Sequence, residues 1–91
     1  MKTVVIDDIA KNIAREVLES IDKLEELKKT PGADANSLND KILSLSENFP
    51  MRLYPYHELV EHGSVSANDF NDALRSLSRL SSQLIKEYSK K

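Results

Sequence analysis

Two histidines, His57 and His62, are the only imidazoles in the chain, and Glu58 and Glu61 stand between them. On a helix His57 and Glu61 are i,i+4 neighbours, as are Glu58 and His62, so each pair could offer two ligands to a metal ion. A shared ion is a poor fit. Residues five apart lie roughly 140° around a helix, and the two pairs therefore diverge. The chain has no cysteine, and nothing else signals a third or fourth ligand. Surface or helix-capping histidines are the expectation, with no metal and no cofactor. The lack of cysteine also excludes a disulfide scaffold, an iron–sulfur cluster, a thiolate zinc site and a thiol nucleophile.

Other chemistry is signalled no better. Asp34-Ala35-Asn36 begins like a calcium loop, but Leu38 and Asn39 then stand where an oxygen ligand and a glycine are needed. Glu61-His62-Gly63-Ser64 is faintly similar to the active-histidine segment of histidine phosphotransfer domains. Those domains need an exposed histidine in mid-helix beside a lysine, whereas His62 abuts Gly63, a helix-stopping residue. Glu16/Glu19 and Asp69/Asp72 each repeat at i,i+3, like half of a nucleotide pyrophosphohydrolase magnesium motif, but lie too far apart in the chain for it. Small helical chorismate mutases need basic residues converging on a dicarboxylate, and Arg15, Arg52, Arg75 and Arg79 do not follow that layout. An enzymatic alternative would need a cleft where Glu, His and Arg converge, drawing on His57, His62 and the neighbouring glutamates.

The clearest signal is one of interaction. Phe49, Tyr54 and Tyr56 crowd into eight residues beside Met51, Leu53, Arg52, Pro50 and Pro55, a composition enriched at the centres of protein interfaces. Two readings compete: large side chains that plug the end of a bundle, or an exposed patch. For the second, the candidate partner-binding residues are Met51, Arg52, Tyr54, Tyr56 and His57.

Four sets of start and stop signals place these residues. Ile6, Ile9, Ala10, Ile13, Val17, Ile21, Leu24 and Leu27 recur in steps of three and four, which predicts a helix from Ile6. Asp7 and Asp8 open it, Lys28 and Lys29 close it, and Thr30-Pro31-Gly32 stops it. Asp7/Lys11, Glu19/Lys23 and Glu25/Lys29 are spaced for i,i+4 ion pairs on its solvated face. Asn36 or Ser37 can cap a second helix carrying Leu38, Ile42, Leu45 and Phe49, which Pro50 ends. An irregular entry then leads to a helix from about Pro55 to His62, with Gly63 as its C′ residue. Ser66, with Asp69 as capping-box acid and Val65/Phe70 as hydrophobic staple, starts the last helix. Its stripe is Phe70, Ala73, Leu74, Leu77, Leu80, Leu84 and Tyr88, and Lys86, Lys90 and Lys91 follow the dipole. Only Thr3 to Ile6 alternates like a strand.

The 91 residues make one domain, 1–91, of ordinary globular composition, with 40% hydrophobic and 31% charged residues. The formal net charge of −2 argues against nucleic acid as partner, which asks for a basic face. Residues 1–48 carry seven Lys/Arg against ten Asp/Glu, and residues 49–91 six against five, an asymmetry too mild to name a polyanion. No apolar run is long enough for membrane insertion, and no secretory signal opens the chain, so a cytoplasmic location is expected. Apolar stripes on two long and two short helices bury one another in an all-α fold, a small antiparallel four-helix bundle. Stripes this wide leave a seam open to a second copy, so the bundle is expected to be monomeric or homodimeric.

The stretch Glu58-Leu59-Val60-Glu61-His62-Gly63-Ser64-Val65-Ser66, followed by Asn71-Asp72-Ala73-Leu74-Arg75-Ser76-Leu77-Ser78-Arg79-Leu80-Ser81, resembles the C-terminal half of immunity proteins against pediocin-like bacteriocins, the enterocin A immunity family. The resemblance implies a cytoplasmic four-helix antiparallel bundle without catalysis. It also implies protection of a bacteriocin-producing cell by engaging the bacteriocin-bound mannose permease from the cytoplasmic side. Many members are basic where this chain is slightly acidic. The expected function is that of a non-enzymatic helical-bundle protein acting through protein–protein interaction, with immunity as its most specific form.

Overall fold

A computed structural model describes residues 5–89 of the chain; Thr3, Val4, Lys90 and Lys91, invoked above, lie outside the described residues. In chain order the elements are α1 (Ile6–Lys28), α2 (Ala35–Asn48), a 3₁₀ segment (Phe49–Tyr56), α3 (His57–Glu61) and α4 (Ala67–Tyr88). The fold is all-α, with no strand among the described residues.

Local chemistry accounts for the ends. Gly32, at φ +84°, supplies the left-handed residue of the Thr30–Ala33 turn that follows α1, closed by the Ala33 N–H donating to the Thr30 carbonyl at 3.1 Å. The cap of α2 is Asp34 rather than Asn36 or Ser37: its carboxylate accepts from the Ser37 N–H at 3.1 Å, which starts the helix at Ala35. Ser66 caps α4 by accepting from the Asp69 N–H at 3.1 Å. Asp69 returns no bond to the Ser66 N–H, since its side chain is one methylene shorter than the glutamate of a full capping box. Val65 and Phe70 are both buried, as a staple requires.

The expected helix over Pro55–His62 is shorter than predicted. Two prolines five residues apart remove donors from an α ladder, and the chain tightens into eight residues of 3₁₀ helix before a five-residue α3. Gly63, at φ +77°, then closes α3: the Ser64 N–H bonds the Leu59 carbonyl at 2.8 Å and the Gly63 N–H bonds Val60 at 3.0 Å. This is the paired bonding of a Schellman turn.

Cross-links fix how the elements lie. The Asn39 side chain donates to the Tyr88 carbonyl at 2.9 Å, and Ser81 donates to the Ser46 carbonyl at 2.5 Å. The His57 ring stands edge-on to Phe70 with centroids 5.1 Å apart. From Asn39 to Ser46 to His57 the chain advances by seven and then eleven residues; from Tyr88 to Ser81 to Phe70 it retreats by the same steps. One antiparallel register thus runs the length of α4 against α2, the 3₁₀ segment and α3 in succession. At one end Lys28 sits over the Tyr88 ring, 5.9 Å from its centroid, and at the other Ile6 and Asp7 share a hollow with Asp69 and Ala73, so α1 and α4 run parallel.

The architecture is therefore three rods, the middle one composite, rather than four: the short helix near residue 60 prolongs α2 instead of folding back beside it. The rods make an elongated body of 51 × 24 × 15 Å. The core is Ile6, Ala10, Ile13, Val17 and Ile21 of α1 against Ile42, Phe49 and Leu53 of the middle rod and Phe70, Ala73, Leu77 and Leu84 of α4. Leu27, placed on the buried stripe by its spacing, is 51% exposed, because it lies on the open side of the α1/α2 seam, where it lines a surface hollow with Leu38. Of the three predicted ion pairs on α1 only Lys11–Asp7 forms, at 3.0 Å; Lys28 and Lys29 instead reach back three residues to Glu25 and Glu26. Asp7 also raises the Lys11 pKa, by hydrogen bond first and by its charge second.

Candidate functional site

The 3₁₀ segment divides its large side chains between core and solvent. In a 3₁₀ helix residues three apart eclipse one another. Pro50 and Leu53 share one ridge and are buried, Leu53 completely, and Phe49 is buried beside them. Met51 and Tyr54 share the next ridge, and it is open: Met51 is 59% and Tyr54 53% exposed. Tyr56 is 41% exposed. Both readings of this segment hold, each for its own residues. Phe49, Pro50 and Leu53 plug the bundle, while Met51, Arg52, Tyr54 and Tyr56 lie outside.

The plug gives the exposed side chains a fixed platform. Eight residues is about twice the usual run of 3₁₀ helix, and it persists here because Phe49 and Leu53 are anchored between α1 and α4. Arg52 extends to α1, with Nη1 3.6 Å from Glu16 Oε2. Both side chains are more than half exposed, so this pair orients the guanidinium and adds little to stability. His57 begins α3 at the end of the Met51/Tyr54 ridge, its ring against Phe70 and its Nδ1 3.6 Å from Glu61.

The remaining imidazole, His62, lies with Nε2 3.8 Å from Glu58. The two histidine–glutamate pairs thus form separately, as the helical spacing predicts. Among the described residues no group of three His, Asp or Glu side chains is disposed to hold an ion. Two open hollows lie at opposite ends of the molecule. One, of about 500 Å³, is lined by Ile6, Asp7, Val65, Asp69 and Ala73. The other, of about 800 Å³, is lined by Lys28, Asn39, Asp40, Leu43 and Tyr88. Neither of these two is lined by histidine or arginine.

At the second hollow a polar cluster ties three helices together. Lys28 Nζ lies 3.4 Å from both Glu25 Oε1 and Asn39 Oδ1, and Asn39 holds the Tyr88 carbonyl. Removal from water, and then the carboxylates of Glu25 and Glu87, push the Tyr88 pKa above its ordinary value.

Sequence reasoning located the aromatic cluster but not its division. The signal was present: a threefold step through Pro50 and Leu53 separates them from Met51 and Tyr54 once two prolines exclude the 3.6-residue period. It expected an apolar seam left open but did not locate it at the half-exposed row of Leu24, Leu38 and Leu45 between α1 and α2. No helix of the described residues is long and apolar enough to cross a membrane. Comparison of the chain with protein-family models, with curated proteins and with solved structures found no match.

Proposed function

We propose that this chain is a non-enzymatic binding protein that presents the 3₁₀ segment to another protein, with Met51, Tyr54 and Tyr56 as apolar anchors and Arg52 and His57 at their edge. The supporting observation is the exposure of three large side chains within six residues of a segment whose Phe49, Pro50 and Leu53 are locked in the core. Aromatic and methionine side chains held on a rigid platform lose little conformational freedom on binding and bury large areas, which is how few residues supply most of an interface's affinity. A cytoplasmic setting belongs to this reading, in keeping with a chain that uses no cysteine.

The test is affinity capture from native lysate with the wild type and with Tyr54→Ala/Tyr56→Ala, followed by binding measurements on the purified partner. A partner held by the wild type and lost by a variant of unchanged helicity supports the patch. A partner held equally by both rejects it.

Bacteriocin immunity is the narrower form of the reading. It is favoured by the Gly63 turn and the Ser66-capped, leucine-striped α4, which occupy the stretch that carries the resemblance. Expression in a sensitive strain challenged with a pediocin-like bacteriocin tests it, and undiminished killing rejects it. The immunity proteins implied by that resemblance have four helices. Here a fourth rod would have to come from a partner or a second copy.

A further inference from the structure

The seam between α1 and α2, on the side away from α4, is an uncovered apolar line. Its central hollow, about 490 Å³, has Leu24 and Leu45 as floor and Ser20, Ser44, Lys23 and Lys41 as walls. A turn above it, Leu27 and Leu38 line a second hollow, and below it Leu45 and Phe49 line a third that ends at Arg52. From Leu38 to Phe49 the line spans about 17 Å of helix, or three turns. That is the length of groove into which an amphipathic helix seats a short leucine ridge.

Charge selects the occupant. The Asp34 carboxylate on this seam is engaged as the cap of α2, and Arg52 is paired with Glu16. Lys23 and Lys41 stand on facing lips of the central hollow, and among the described residues neither has an ion-pair partner. A second copy laid on the seam about a two-fold axis through the central hollow would set lysine against lysine, an unfavourable juxtaposition. We infer that the α1/α2 seam is a docking groove for a helix of another protein, one with leucines in steps of three and four and glutamates on both flanks. Its docking would add the fourth rod. This inference is separable from the 3₁₀ patch: the two meet at Arg52, where the groove ends, but the groove draws on neither Tyr54 nor Tyr56.

The probe is a fluorescently labelled synthetic peptide of about five helical turns, with a leucine ridge flanked by glutamates, beside the same ridge flanked by lysines. Fluorescence anisotropy should show the glutamate peptide bound about tenfold or more tightly than the lysine peptide, and weakened by added salt. The charge reversal Lys23→Glu/Lys41→Glu, at exposed positions that leave the fold intact, should invert that preference. Tyr54→Ala/Tyr56→Ala should leave it unchanged, which separates this result from failure of the patch. Equal binding of the two peptides, binding of neither, or a preference that survives charge reversal overturns the inference. So does a concentration-dependent dimer that Leu27→Asp dissociates, which would give the groove to a second copy.

Discussion

The Ser81 hydroxyl in α4 donates to the main-chain carbonyl of Ser46 in α2 at 2.5 Å, with both residues buried. The Ser46 hydroxyl turns back along its own helix to the Ile42 carbonyl at 2.7 Å. Two small side chains in facing positions let the helices approach closely, and each hydroxyl is satisfied. No buried side-chain nitrogen or oxygen among the described residues lacks a partner.

Ser81→Leu should therefore destabilise the protein by about 1–3 kcal/mol, by forcing a larger side chain into this approach. Ser81→Ala should cost about 1 kcal/mol, the worth of one hydrogen bond. Urea unfolding followed by circular dichroism measures both. A leucine variant as stable as the wild type would show that the helices have room to spare.

Leu53 and Tyr54 are adjacent in sequence and opposite in environment. Leu53→Ala removes a completely buried side chain and should cost about 2–5 kcal/mol. Tyr54→Ala, at a half-exposed position, should stay within about 0.5 kcal/mol of the wild type. Denaturant midpoints of the two variants decide whether the 3₁₀ segment has an inside and an outside.

Gly63→Ala meets no atom within 4 Å, so crowding has no part in its effect. The cost comes from φ +77°, a left-handed conformation that an alanine Cβ disfavours by about 1–2 kcal/mol. A thermal midpoint unchanged by this substitution would show that the turn after α3 relaxes without its left-handed residue.

Tyr88 keeps its proton to higher pH when folded, because it is withdrawn from water and faces Glu25, Glu87 and Asp22. The unfolded chain gives up that proton near the ordinary value of 10.0, so the stability Tyr88 contributes is fully present below that pH. It is lost as pH rises through the folded value. Unfolding free energy should fall more steeply above pH 10 in the wild type than in Tyr88→Phe. Parallel curves would remove Tyr88 as the cause.

Helix identity was legible because α1 and α4 advertise themselves three ways: a stripe of period 3.6, acids at the start, and a Gly or Ser at the boundary. Gly63 and Ser66 stand where their chemistry requires. The number of rods was not legible, because Pro50 and Pro55 read equally as breaks between elements and as a change of helical pitch. Tertiary anchoring of Phe49 and Leu53 decided for the latter. Asp34 escaped notice as a cap because Asn36 and Ser37 are equally suitable residues nearer Leu38, the first leucine of the stripe. The surface character of Met51 and Tyr54 followed from the threefold period, which no residue reveals by itself; Tyr56, in step with Pro50 and Leu53, is 41% exposed all the same, at the end of the segment.

The composite middle rod makes tolerance to insertions and deletions uneven along the chain. A residue added among Thr30–Ala33 changes only the slack of a turn between helices. A residue removed between Phe49 and Tyr56 would swing everything beyond it by about 120°, one third of a 3₁₀ turn. His57 would leave Phe70, and where the residue lost is Arg52 or Leu53, Met51 and Tyr54 would no longer share a ridge. Functional relatives of this protein should therefore vary freely in length at the first turn and keep eight residues in the 3₁₀ segment.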